Sequence, residues 1–171
     1  IRDANGIFRL LSGANTGGLS ATYPRNWLAP DARIFGFDNA GRMYYVNPSG
    51  TGTFQSAGQI PGATAWTASA VMFQPGRILQ MGGASSAARI IDINGTQPVV
   101  TSTQNMSTQR QWVSATVLAD GRVLGTGGSR VENQTIDVNN TAEIWNPATG
   151  QWTQGSSGVN ARLYHSGALL L

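Results

Sequence analysis

Short apolar runs separated by glycine-bearing turns recur along the whole chain. In the clearest stretch, Arg110-Gln111-Trp112-Val113-Ser114-Ala115-Thr116-Val117-Leu118 leads through Ala119-Asp120-Gly121-Arg122 into Val123-Leu124-Gly125-Thr126-Gly127-Gly128. After a longer polar loop comes Ala142-Glu143-Ile144-Trp145-Asn146-Pro147-Ala148-Thr149-Gly150-Gln151-Trp152. Runs this short, rich in β-branched and aromatic residues, predict strands rather than helices. Asp-Gly supplies the positive φ of a tight hairpin, and Asn-Pro-x-x-Gly predicts a further hairpin between outer strands. The Gly-Gly pair permits close backbone approach where strands crowd together. Each such unit predicts a small antiparallel sheet of four strands.

The unit repeats at a spacing of roughly 45 residues, the range of propeller blades. A second copy runs Trp66-Thr67-Ala68-Ser69-Ala70-Val71-Met72-Phe73, turns at Gln74-Pro75-Gly76-Arg77, and continues Ile78-Leu79-Gln80-Met81-Gly82-Gly83 before Ala88-Arg89-Ile90-Ile91-Asp92-Ile93. An earlier copy comprises Tyr23-Pro24-Arg25-Asn26-Trp27-Leu28, Ile34-Phe35-Gly36-Phe37 and Arg42-Met43-Tyr44-Tyr45-Val46-Asn47-Pro48. A fourth begins at Arg162-Leu163-Tyr164-His165-Ser166 and ends at Leu171. The expected fold is all-β, with blades at roughly 1–57, 58–103 and 104–157 and the start of another at 158–171. One such sheet cannot bury both faces, so blades stack around an axis and close in rings of about four to eight. About three and a half blades are present, so the chain reads as part of a larger propeller. Its open faces are expected to pack against the remainder of that propeller or another copy of the chain.

Composition narrows the function classes. The net charge is +3 and the pI about 10.0, yet only 11% of residues are charged, and the arginines are scattered singly without lysine. No basic stripe with interleaved aromatics argues for nucleic-acid binding. No apolar run approaches membrane-spanning length, and the first residues lack a signal-peptide pattern. Zero cysteines exclude disulfides and thiolate metal sites within the chain. Four Asn-x-Ser/Thr sequons, at Asn94, Asn105, Asn133 and Asn139, fit a secreted surface but also the chain's general richness in Asn, Ser and Thr.

Candidate chemistry concentrates at Tyr164-His165, which contains the single histidine. Imidazole and phenolate oxygen both suit copper(II), and a tyrosine beside a metal ionises below its ordinary value of about 10. Neighbours on a regular strand point to opposite faces, so both side chains reach one metal only where the backbone is irregular. The residues also have a plain reading. Trp112 and Val113 occupy the same places in the third copy, so Tyr164 can be a packing aromatic and His165 a hydrogen-bonded rim group. Elsewhere, Asp31, Asp120 and Glu143 read as turn or strand-edge residues, and Met81 and Met106 as packing. The glycine-rich 13–18 stretch lacks the setting and lysine of a phosphate cradle.

Tyr23-Pro24-Arg25-Asn26-Trp27, Gly82-Gly83, Arg110-Gln111-Trp112 and above all Arg162-Leu163-Tyr164-His165-Ser166, set in kelch-like blades, resemble the galactose oxidase and glyoxal oxidase group of copper radical oxidases. The resemblance runs through nearly the whole chain and implies a propeller of about seven blades with copper near its axis. It implies His165 as an equatorial copper ligand and Tyr164 as the axial phenolate and general base. The other ligands of that family, a second histidine and a cysteine-linked tyrosine, have no counterpart here. Tyr23, Tyr44 and Tyr45 sit in ordinary blade positions. The resemblance therefore implies one half of a copper site, inactive by itself, in a secreted oxidase that converts a primary alcohol, carbohydrate or aldehyde with O2 and releases H2O2. The alternative is a non-catalytic kelch-type propeller that binds a glycan or protein partner.

Overall fold

The computed structural model describes residues 1–2, 4–20, 22–62 and 65–171, and among these there is no helix. The strands form three four-stranded antiparallel sheets, each a propeller-like blade. The first contains β1 (Arg25–Leu28), β2 (Ile34–Phe37), β3 (Arg42–Asn47) and β4 (Thr53–Gln59). The second contains β5 (Ala68–Gln74), β6 (Arg77–Gly82), β7 (Ala88–Asp92) and β8 (Val99–Ser102). The third contains β9 (Ser114–Val117), β10 (Val123–Thr126), β11 (Thr141–Asn146) and β12 (Gln151–Ser157). Within each sheet the strands pair in chain order as hairpins. The turns between first and second strands include Gly76 and Gly121, with φ of 71° and 81°.

The middle blade shows why these strands are apolar at consecutive positions instead of alternating. On β6, Ile78, Leu79, Gln80 and Met81 are all fully enclosed. Side chains alternate between faces along a strand, so burial at every position requires cover on both sides. Ile78 joins Ile91 and Ile93 against Phe35, Phe37, Met43 and Tyr45 of the first blade. Leu79 and Met81 join Phe73 against Val113, Val123 and Trp145 of the third. Phe73 and Trp145 meet edge-on with ring centroids 4.9 Å apart. Met81 and Met106 both pack in this second core, as their residue type led one to expect.

A buried ion pair joins the loop before β9 to β11. The Arg110 guanidinium lies 2.7 Å from Glu143, with the two side chains 0% and 2% exposed. Arg110 also donates to the carbonyls of Gly127 and Thr141, while Glu143 accepts from the backbone N–H of Ser107. Burial pushes the Arg110 pKa down, and the attraction of Glu143 opposes that shift. The expectation of Glu143 as a turn or strand-edge residue is thereby corrected. Its strand position is turned inward, where a carboxylate is tolerated only because a cation and a backbone donor meet it. Asp31 and Asp120 do sit in turns, each accepting from the backbone N–H and guanidinium of the arginine two residues on.

Asp38 does similar work in the first blade, closing the turn between β2 and β3. Its carboxylate accepts from the backbone N–H groups of Ser20, Ala40 and Arg42 and from the Arg42 guanidinium. Burial alone would raise its pKa, but these donors outweigh burial and hold it below the ordinary carboxylate value.

Residues 166–171, expected from the repeat to open an apolar strand, pair with no strand among the described residues. They lie along β9 instead, tied by Ser114 Oγ to the Ser166 carbonyl and by Thr116 Oγ1 to the Ala168 carbonyl.

Two stability measurements check this account. Glu143→Gln leaves a buried cation without its counter-charge and is expected to cost about 3–5 kcal/mol in urea unfolding. A loss under about 1 kcal/mol would show that the pair is not a keystone. Asp38→Asn is expected to lose roughly 2–4 kcal/mol at neutral pH. Because the Asp38 pKa is depressed on folding, its contribution is present above about pH 4 and fades as pH falls through the folded value. Wild type and variant should therefore converge in acid.

Candidate functional site

One aromatic residue stands two positions before the first strand of each unit: Tyr23 before Arg25, Trp66 before Ala68 and Trp112 before Ser114. Tyr164 stands in the same relation to Ser166, the residue that matches Ser114 in the repeat. The fold gathers all four at one end of the first strands, β1, β5 and β9. Trp66 and Trp112 cross edge-on at 4.8 Å, and Trp112 lies 4.3 Å from Tyr164. Tyr23 stacks on Trp66 at 6.2 Å and meets Tyr164 edge-on at 6.2 Å. The hydroxyls of Tyr23 and Tyr164 share a hydrogen bond. These rings, with Arg25, Thr67, Val113, Ser114 and His165, line an open cavity of about 300 Å³.

The backbone around the cavity is unusual in a consistent way. Tyr23, Trp112 and His165 all take left-handed conformations, with φ of 54°, 63° and 63°. Bulky residues rarely adopt this region, and such conformations persist where the surroundings impose them. The imposing contacts are visible. Trp112 donates its N–H to the Thr67 carbonyl, Gly83 to the Arg110 carbonyl and Gly128 to the Arg162 carbonyl. Gly127 and Gly128 let the chains approach so closely that an added Cβ would lie 2.7 Å from the Arg162 oxygen or from the Gln111 oxygen, respectively. The Gly-Gly pair is thus the seat on which the following segment rests.

The left-handed turn at His165 has a direct chemical result. It places the imidazole alongside the Tyr164 ring, with centroids 3.7 Å apart and planes inclined by 28°. Tyr164 is half-buried and His165 exposed. A phenol oxygen and an imidazole thus open onto one cavity, a donor combination suited to copper(II). Among the described residues no group of three His, Cys, Asp or Glu side chains gathers around a common point.

Most other polar groups near the cavity are already committed. Arg25 donates to the carbonyls of Trp66 and Ala68, and burial pushes its pKa down. Thr67 Oγ1 donates to Gln111. The wall is therefore largely aromatic, with the Tyr23 and Tyr164 hydroxyls and the His165 imidazole among its polar groups.

Tyr23 holds the place two residues before the first strand that Trp66 and Trp112 hold in their blades, and from there its hydroxyl bonds that of Tyr164. Tyr44 and Tyr45 are blade residues. Tyr44 donates to Asn26, Tyr45 packs in the core between the first two blades, and burial raises the pKa of both. The repeat pattern alone assigns Trp66 no role and Trp112 only that of counterpart to Tyr164. The signal that finds them all is the shared offset of an aromatic two residues before each first strand.

No protein-family model matches the chain, and no curated protein sequence does. Solved structures do. A fungal alcohol oxidase of the AA5 family, determined in complex with copper, superimposes with a TM-score of 0.88 at 22% identity, over 99% of this chain and 40% of that one. The likeness is one of fold. A second structure, of the protein YjhT, matches with a TM-score of 0.64 at 14% identity over 85% of this chain and 58% of that one. The chain thus spans well under half the length of the oxidase whose blades it reproduces.

Gly128→Ala tests the seating of the site. A left-handed non-glycine residue costs about 1–2 kcal/mol before any clash, and the new Cβ would displace the Gln111 backbone. The variant is expected to lose more than about 2 kcal/mol of stability and much of the near-ultraviolet circular dichroism of the stacked rings. An unchanged spectrum would show that the cluster does not depend on this close approach.

Proposed function

We propose that the chain is part of a secreted copper radical oxidase that oxidises a primary alcohol or aldehyde with O2 and releases H2O2. The observation that carries this reading is the Tyr164-His165 pair, turned by the left-handed His165 backbone onto one cavity beside the Tyr23 hydroxyl. The blade fold shared with a copper-containing alcohol oxidase supports it. So does the outer side of the first blade, where Leu19, Pro24, Ile34, Tyr44 and Val46 line an open apolar hollow of about 510 Å³. A further blade of a closed ring, of about seven blades in all, would cover such a face.

In this reading His165 and Tyr164 would hold the metal through imidazole nitrogen and phenol oxygen. Bound copper would supply a one-electron redox centre and a Lewis-acid position for the substrate oxygen. Tyr164 accepts the proton that leaves the substrate hydroxyl. The hydrogen bond from Tyr23 can stabilise the Tyr164 oxygen when it carries negative charge, so Tyr23 acts as a positioning residue. Trp112 packs on the Tyr164 ring and, with Trp66, keeps water from that side of the cavity. In sum, an alcohol loses two electrons and two protons to become an aldehyde, and O2 takes up both as H2O2.

The test uses the full-length protein loaded with copper. The expected result is a copper(II) paramagnetic resonance spectrum with nitrogen hyperfine structure and peroxide production on a panel of galactose, methylglyoxal and simple primary alcohols. His165→Ala is expected to lower copper affinity at least about tenfold. Tyr164→Phe is expected to lower turnover by about 10²–10⁴. A wild-type protein that binds no copper would instead support the rival reading, in which the same aromatic cavity stacks against a glycan without chemistry.

A further inference from the structure

The structure separates the four sequons by what each asparagine side chain is doing. Asn94 donates through Nδ2 to Asp92 and the Pro75 carbonyl and lies against Gly76, where there is no room for a Cβ. Asn139 is engaged at both ends, donating to Thr108 Oγ1 at 2.8 Å and accepting from the Thr141 N–H at 3.0 Å. A sugar on either Nδ2 would displace these partners. Asn105 is exposed, but the next two residues are held in place: Met106 packs in the core, and the Ser107 N–H donates to buried Glu143.

Asn133 differs in each respect. It lies at the tip of the long loop between β10 and β11, in an exposed run from Asn133 to Asp137. Its side chain makes no hydrogen bond to any described residue. Its φ of 54° is one that asparagine tolerates better than most residues. The stem below it is closed by the Arg130–Asp137 ion pair and by the bridge between Ser129 and Val138, so the tip is held outward. Ile136 beside it is 60% exposed, an apolar surface that a sugar would cover.

We propose that Asn133 carries an N-linked glycan. Ser129 also bridges Gln111, the neighbour of Trp112, so the glycan would stand beside the rim of the aromatic cavity. The inference rests on the secreted reading above, since only chains that enter the secretory pathway meet the transferase. Its test supplies that entry independently.

The full chain is placed behind a yeast secretion leader, and secreted and retained fractions alike are treated with a peptide amidase in heavy-oxygen water. Peptide mass spectrometry then reads occupancy at each sequon. Asn133 is expected to be modified in most molecules, with Asn94 and Asn139 largely bare. Thr135→Ala, which leaves Asn133 in place, should abolish the modification, and Thr135→Ser should retain it. An unmodified Asn133, or occupancy at Asn139 equal to it, would overturn the inference. Either result leaves the oxidase reading to stand or fall on its copper measurements.

Discussion

A four-stranded sheet with apolar side chains on both faces has to be covered on both, and the rest of this structure follows from that constraint. The middle blade satisfies it completely: consecutive residues of β6 bury into two different cores. Burial of a large aliphatic side chain is worth about 1.5–3 kcal/mol, so each face adds a substantial driving force for stacking. The blades consequently line up so that the short segments preceding their first strands converge. The aromatic cavity is the product of that convergence. It is assembled from residues 23, 66, 112 and 164, which no local element could bring together.

Polar contacts then fix the geometry that apolar packing leaves loose. Hydrophobic burial is non-directional, whereas the Arg110 fork, spread over Glu143, Gly127 and Thr141, sets one orientation of the loop before β9 against the third blade. The Arg110 carbonyl simultaneously receives the Gly83 N–H from the second blade. This residue therefore sits at the junction between two blades, just ahead of Trp112 in the chain. The same junction is built again one blade later, where the Arg162 carbonyl receives Gly128 and the Tyr164-His165 pair follows. Structural repetition thus delivers an aromatic residue to the same end of every blade, and the last repeat adds a histidine to it.

Much of the architecture was legible in the residues. Asp-Gly and Pro-Gly turns, the Gly-Gly pairs and the spacing of about 45 residues led to four-stranded units, and three such sheets are present. The meaning of the Gly-Gly pair as a place of close approach was legible too. Long-range partners were not. Glu143 looked like a strand-edge residue because its sequence neighbours, Ala142 and Ile144, do not reveal which face of β11 is enclosed or that Arg110 waits there. That the Tyr23 hydroxyl meets Tyr164 was hidden because the two stand 141 residues apart in the chain.

By itself the sequence determined the local grammar: where strands begin, where they turn, and where a phenol and an imidazole stand side by side in the chain. Those properties depend on backbone preferences and on side-chain type, which are carried by near neighbours. Tertiary structure alone decided which of the aromatics share a cavity, which carboxylate is buried against a cation, and that the His165 backbone turns left-handed to bring imidazole and phenol to one side. These depend on how blades stack, since the contacts that impose them join residues from different repeats.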